Sequence, residues 1–315
     1  MTVTAPYALV FPGQGSQSVG MLKALSGQFA EVHATLDEAS AVLGDDLNAR
    51  FADGPKEWLD ATENTQPALL AASVAVWRVW QAQGLAAPAA MAGHSLGEYS
   101  ALVASEALRF DDALRLVRLR GQLMQSAVPA GTGGMAAVIG MDDAAVAALC
   151  AQYPGEGLLA PANYNCPGQV VVAGHTAALD WLAANGKSLG ARMVMRVGMS
   201  VPSHCALLTG AAGALADALA KITLQAPKIP LLHNLDAAQH RSPDAIRAAL
   251  AAQLYSPVQW TKTIGQLKVQ GVTSYLECGP GKVLSGLIKR IDSDAQLLAL
   301  EDPAALIAAA EALRA

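Results

Sequence analysis

Gly93-His94-Ser95-Leu96-Gly97 has the G-x-S-x-G form of a nucleophile elbow. In an elbow, a serine stands on a sharp turn between a strand and a helix, and the flanking glycines let the two elements close on it. The flanks suit that reading. Ala89-Ala90-Met91-Ala92 is a short small-apolar stretch fit for a buried strand, and Glu98-Tyr99-Ser100-Ala101-Leu102-Val103-Ala104 reads as a helix start. A hydroxyl placed there meets unpaired N–H groups and the positive end of a helix dipole, which favour developing negative charge. Five residues of this form also arise by chance, so a plain strand–helix turn is the competing reading.

A serine nucleophile needs a base. Of the six histidines, His204 in Ser200-Val201-Pro202-Ser203-His204-Cys205 is the candidate, because it lies where an inserted unit would rejoin the main sheet and open a cleft. A structural loop histidine is the alternative. His94 adjoins Ser95, but an extended-to-turn backbone directs its ring elsewhere. His33, His175, His233 and His240 have no partner motif and read as structural or surface residues.

Arg120 makes an argument of its own. Asp112 to Gln125 is helical in pattern, and at about 100° per residue Arg115, Arg118 and Gln122 fall on one polar arc. Arg120 falls instead among Ala113, Leu116, Val117 and Met124, on the apolar arc. A buried guanidinium requires an anionic partner. Either an internal Asp or Glu pairs with it, or it awaits a substrate carboxylate, for which its planar fork is suited. An oxyanion hole would need two N–H donors, one from Leu96 and one from a loop such as Pro12-Gly13-Gln14-Gly15-Ser16-Gln17. That loop fails as a dinucleotide site, since position 18 is Ser and no acidic residue follows at a matching strand end. Gly279-Pro280-Gly281-Lys282 lacks P-loop spacing and is a turn opening a helix.

The elements that must hold these residues alternate. Tyr7 to Phe11 is a strand; helical patterns follow at 31–43, 66–84 and 96–107, as in parallel βαβ winding. Region 135–196 reads differently. Strands at Met135–Ile139, Leu158–Asn163, Gln169–Ala173 and Ala191–Val197 alternate with helices at Asp142–Cys150 and Thr176–Leu189, with Asn165-Cys166-Pro167-Gly168 as a turn. That βαββαβ order is ferredoxin-like. Gly131-Thr132-Gly133-Gly134 and Gly198-Met199-Ser200 flank it as hinges. The expected fold is therefore α/β: an α/β-hydrolase-like catalytic subdomain with a parallel sheet (1–130 and 198–315), and an inserted ferredoxin-like small subdomain (131–197). Strands near 229–233 and 273–277 and helices near 244–254, 258–269 and 281–290 complete the larger unit.

With 315 residues, 53% hydrophobic and 15% charged, the chain suits such a globular fold. A net charge of −5 argues against nucleic acid as a partner. No apolar run reaches about 18 residues, and the first residues lack a secretory pattern, so the expectation is a cytoplasmic enzyme without a membrane partner. Cys150, Cys166, Cys205 and Cys278 have no C-x-x-C spacing and read as reduced, buried thiols; no metal site is expected.

Taken together, these residues resemble the bacterial malonyl-CoA:acyl carrier protein transacylases of type II fatty-acid synthesis. The likeness runs nearly end to end, through Phe11–Gln17, Thr65-Gln66-Pro67-Ala68-Leu69, Gly93–Leu102, Arg118-Leu119-Arg120-Gly121, Asn163–Gln169, Val201–Cys205, Tyr255–Trp260 and Gly279–Leu284. It implies an S-malonyltransferase that passes malonyl from malonyl-CoA to acyl carrier protein through a malonyl-serine, with no cofactor and as a monomer. It implies Ser95 as nucleophile, His204 as base and Arg120 as partner of the malonyl carboxylate. The backbone N–H groups of Gln14 and Leu96 would form the oxyanion hole, the Gln253 carbonyl would orient the histidine, and Asn163 would border the acyl pocket. Cys166 departs from the serine of many relatives. An acidic carrier would need a local basic patch, for which Lys282, Lys289, Arg290, Arg192 and Arg196 are candidates. A malonate decarboxylase subunit, a serine esterase or thioesterase, and a non-catalytic carrier-binding module are the rival readings.

Overall fold

The computed structural model describes residues 6–129, 131–198 and 201–314. Residues 1–5, and Met199 and Ser200 of the second glycine-flanked hinge, lie outside the described residues.

The chain opens with β1 (Tyr7–Phe11), five buried residues, and then α1 (Lys23–Ser26), α2 (Ala30–Leu43), α3 (Leu47–Asp53), α4 (Lys56–Asp60) and α5 (Thr62–Gln81). It continues through β2 (Ala90–Gly93), α6 (Gly97–Ala104) and α7 (Phe110–Ser126). After the small sheet come α10 (Thr209–Leu219), β7 (Leu231–Leu232), α11 (Pro243–Gln253), α12 (Trp260–Val269), β8 (Ser274–Glu277), α13 (Val283–Ile291), β9 (Gln296–Ala299) and α14 (Pro303–Arg314). The strands form one parallel sheet in the order β7-β2-β1-β8-β9. Both of its faces are covered, which is why β1 reads as an unbroken apolar run. Leu9 and Phe11 join Leu69, Leu102 and Val117 in one core. Ala8 and Val10 point the other way, into a second core with Trp260, Ile264 and Ile288.

The inserted region carries β3 (Gly133–Ile139), α8 (Asp143–Ala151), β4 (Leu159–Cys166), β5 (Gln169–His175), α9 (Thr176–Asn185) and β6 (Met193–Arg196). Its sheet order, β4-β5-β3-β6, is antiparallel throughout, as a ferredoxin-like unit requires. The expectation of a large parallel-sheet subdomain with a smaller antiparallel one is thus met. Asp142 caps α8 by accepting from the Ala145 N–H at 2.7 Å. One face of this sheet packs on α8 and α9. On the other face, Met135, Ala137, Ile139 and Ala173 share a core with Cys205, the residue after His204.

Some boundaries differ from the sequence reading. The turn after β4 is only Pro167-Gly168, because β4 runs on to Cys166 through two irregularities and Gly168 takes φ 73°. α9 stops at Asn185, four residues early. α10 and α14 escape a periodicity reading because alanine, five of 11 residues in one and six of 12 in the other, blurs the contrast between their faces. All four cysteines are free and buried. Among the described residues, no helix is long and apolar enough to cross a membrane, and no three His, Cys, Asp or Glu side chains gather as a metal site would need.

Candidate active site

Ser95 stands at the turn between β2 and α6 with φ 51°, a left-handed backbone that costs a non-glycine residue about 1–3 kcal/mol. The packing behind it explains both glycines. A Cβ on Gly93 would lie 1.9 Å from the Gly97 carbonyl carbon, and one on Gly97 would lie 2.0 Å from the Phe11 carbonyl oxygen. Gly97→Ala is therefore expected to destabilise the fold by about 3 kcal/mol or more, read as a fall in the denaturant midpoint; an unchanged midpoint would contradict the packing argument. Asn234 offsets the strain at Ser95. Its Oδ1 accepts from the Ser95 N–H at 2.6 Å and its Nδ2 donates to the Gly93 carbonyl at 2.6 Å, two bonds of about 1 kcal/mol each.

His204 Nε2 lies 2.7 Å from Ser95 Oγ, and its Nδ1 lies 2.8 Å from the Gln253 backbone carbonyl. A carbonyl only accepts, so Nδ1 carries the proton and Nε2 is left to accept from the serine hydroxyl. Among the described residues, no carboxylate bonds to this ring. Burial, followed by the nearby Arg120 charge, lowers the His204 pKa to about 3, so the imidazole is neutral at physiological pH.

Arg120 is 1% exposed on the inner arc of α7, beside Ala113, Leu116, Val117 and Met124. Its Nη1 donates to Gln66 Oε1 at 2.7 Å, and its Nη2 donates to Gln253 Oε1 at 2.9 Å and to Ser95 Oγ at 3.2 Å. The guanidinium lies over the Tyr99 ring, 5.4 Å from its centroid. Burial pushes its pKa down, but guanidinium stays charged in proteins. Two amide oxygens accept its hydrogen bonds where an internal ion pair was one alternative. None of the ion pairs among the described residues includes it, and its buried Nε has no partner.

These groups meet in a cavity of about 50 Å³ lined by Gln14, His94, Ser95, Leu96, Arg120, Met124, Met135, Asn163, Ser203 and His204. A hollow of about 440 Å³ among α1, α2 and α3 is larger, but the Ser26 hydroxyl and His33 ring lining it bond to the Lys23 carbonyl and to Asn48, not to each other. Neither the Gln14 nor the Leu96 amide has a partner among the described residues, whereas the Ser95 amide is taken by Asn234. Asn163 reaches the cavity from β4 with its Oδ1 unpartnered. His94 turns its Nε2 to Asn165 Oδ1 at 2.9 Å and packs edge-on to Trp260, yet it also lines the cavity.

Sequence reasoning passed over several groups here. Gln66, the Gln253 side chain, Asn234 and Glu98 all act on the elbow or on Arg120. Gln66 and Glu98 lie within strings already noted, but only burial marks them; Asn234 follows a two-residue strand with no local signal at all. Of the basic candidates, Arg196 pairs with Asp180, Lys289 bonds the Ser293 carbonyl, and Arg290 reaches Gln169 and the Pro167 carbonyl. Arg192 and Lys282 have no ion pair among the described residues. Cys166 is fully buried, and burial raises its thiol pKa.

Residues 8–294 match the acyl transferase domain family. The malonyl CoA-acyl carrier protein transacylase of Salmonella typhimurium is 54% identical over 303 residues, spanning 96% of this chain and 98% of that protein. The solved malonyl CoA-acyl carrier protein transacylase of Coxiella burnetii superposes with a TM-score of 0.97 at 45% identity, covering 99% of each chain. A malonyl-transacylase solved in complex with its type II polyketide acyl-carrier protein superposes with a TM-score of 0.96 at 50% identity, covering 98% of this chain and 99% of that one.

Proposed function

The chain belongs to the malonyl-CoA:acyl carrier protein transacylases, and on that premise we propose how its residues share the reaction. It transfers malonyl from malonyl-CoA to the phosphopantetheine thiol of acyl carrier protein. His204 Nε2 takes the proton of Ser95 Oγ as the oxygen attacks the thioester carbonyl. The Gln14 and Leu96 N–H groups hold the tetrahedral oxyanion. Collapse breaks the C–S bond, the departing sulfur takes the proton from His204, and a malonyl ester remains on Ser95. The carrier thiol then gives its proton to His204 and attacks that ester, and the Ser95 oxygen recovers the proton as it leaves. Asn163 borders the acyl group. No redox step or cofactor enters this scheme. Every group named comes from one chain, so a monomer suffices.

The observation that carries this reading is Arg120: buried, 3.2 Å from the nucleophile and, among the described residues, hydrogen-bonded to two amides and a hydroxyl with no carboxylate. An acyl group ending in a carboxylate supplies what that cation lacks. The test is to load the enzyme with radiolabelled malonyl-CoA and then add holo-carrier. Label should pass to the carrier; release as free malonate, with the carrier unlabelled, would overturn the transfer scheme.

The pH dependence follows from the environment of His204. The reacting form is the neutral ring, and both burial and the Arg120 charge oppose protonation. The acid limb of kcat/KM should therefore fall far below the ordinary histidine value of 6.5. Arg120→Ala removes one of those causes, so the limb should move to higher pH. A wild-type limb near 6.5, or one that stays in place in the variant, contradicts this account of the base.

A further inference from the structure

Glu98, in the first turn of α6, is fully buried and takes no part in the steps above. Its carboxylate accepts from three groups far away in sequence: His233 Nδ1 at 2.6 Å, the Asn234 N–H at 3.0 Å and Gln253 Nε2 at 2.7 Å. The last of these bonds decides how the Gln253 amide lies. Gln253 Nε2 faces two acceptors, Glu98 Oε2 and, at 3.1 Å, the Ser95 carbonyl. Its Oε1 must then face the opposite way, where it meets Arg120 Nη2 at 2.9 Å. Turned over, the amide would set an oxygen against two oxygens and an NH₂ against a guanidinium.

We propose that Glu98 is a positioning residue for acyl selection: its reach to Gln253 Nε2 holds that amide with its oxygen on Arg120, and so aims the guanidinium at the substrate carboxylate. The proposal rests on the reading that Arg120 takes the malonyl carboxylate. What matters in it is where the Glu98 oxygen sits, more than the charge it carries. Two substitutions separate these. Glu98→Gln keeps the chain length and one acceptor oxygen. The new NH₂ can face His233 Nδ1, because that ring can move its proton to the unpartnered Nε2. Glu98→Asp keeps the charge and withdraws the oxygens by one methylene.

The measurement is kcat/KM for malonyl-CoA and for acetyl-CoA in both variants and in Arg120→Ala, with circular dichroism to confirm folding. Glu98→Gln should keep the malonyl-to-acetyl ratio within about threefold. Glu98→Asp should lower it about tenfold or more, mainly through a higher KM for malonyl-CoA, because misplacement by an ångström at such a site is costly. A purely structural role would depress both substrates alike. An unchanged ratio in Glu98→Asp, or an equal loss in Glu98→Gln, overturns the proposal. If Glu98→Asp does not fold, a fallen ratio in Glu98→Gln still overturns the proposal, as does an unchanged ratio in Gln253→Met, which removes the amide that Glu98 holds. Arg120→Ala keeps the two ideas apart. An unchanged ratio there removes the premise, whereas a fallen ratio there beside an intact one in Glu98→Asp removes only the role of Glu98.

Discussion

Replacing Ser95 by alanine is expected to lower malonyl transfer by about five orders of magnitude or more and to leave no acyl-enzyme, since the other hydroxyl lining the cavity, on Ser203, donates to the Val201 carbonyl and not to His204. The thiols are excluded by position: Cys166 and Cys205 are buried, and burial pushes the Cys205 pKa up to about 11. The fold should survive, because the loss is one hydroxyl at a turn held by Asn234 and by Gly93–Gly97 packing. His204→Ala removes the proton acceptor but leaves the hydroxyl beside Arg120 and the two free amides, so its loss should be smaller, on the order of 10²–10⁴. The double variant should be no worse than Ser95→Ala, because the pair acts as one unit. Single-turnover kinetics with a thermal melt beside each variant would check this. Substantial transfer by Ser95→Ala would remove the serine from its place in the scheme.

The second large effect is on choice of acyl group. Arg120→Ala should reduce the preference for malonyl-CoA over acetyl-CoA by roughly a hundredfold, corresponding to about 3 kcal/mol for a desolvated charge pair. In the native enzyme an acetyl group leaves a buried cation unpaired, which is a penalty as well as a missing attraction. Arg120→Lys should rescue little. One ammonium cannot take up the bonds to Gln66, Gln253 and Ser95 and still present a fork to a carboxylate. Paired kcat/KM values for the two thioesters provide the measurement, and a preserved ratio would show that selection lies elsewhere.

Much of the site was readable because its residues obey local rules. An elbow needs glycines where strand and helix touch, so Gly93 and Gly97 announced Ser95. A helix wheel placed Arg120 inward with no alignment of positions in space. The parallel and ferredoxin-like sheets followed from alternation of short apolar runs with helices. What stayed hidden depends on contacts between segments remote in sequence. Asn234 meets the elbow from 139 residues away, and Gln253 joins the Arg120 link from 133 residues away. Nothing in Leu231-Leu232-His233-Asn234 marks an asparagine that holds a strained turn. The partner of Arg120 was open for a similar reason: periodicity says which way a side chain points, but not whether carboxylate or amide waits there. Glu98 reads in the sequence only as part of a helix start, and its place as a buried junction depends on partners more than 130 residues away.

The central claim is that malonyl pauses on Ser95 between two thiols. The direct measurement is to mix enzyme with malonyl-CoA in the absence of carrier, quench in acid and map the modified peptide by mass spectrometry. The account predicts a mass gain of one malonyl group on the peptide containing Ser95, lost when holo-carrier is added before the quench. No adduct, an adduct on another residue, or a Ser95 adduct that the carrier cannot discharge would contradict it.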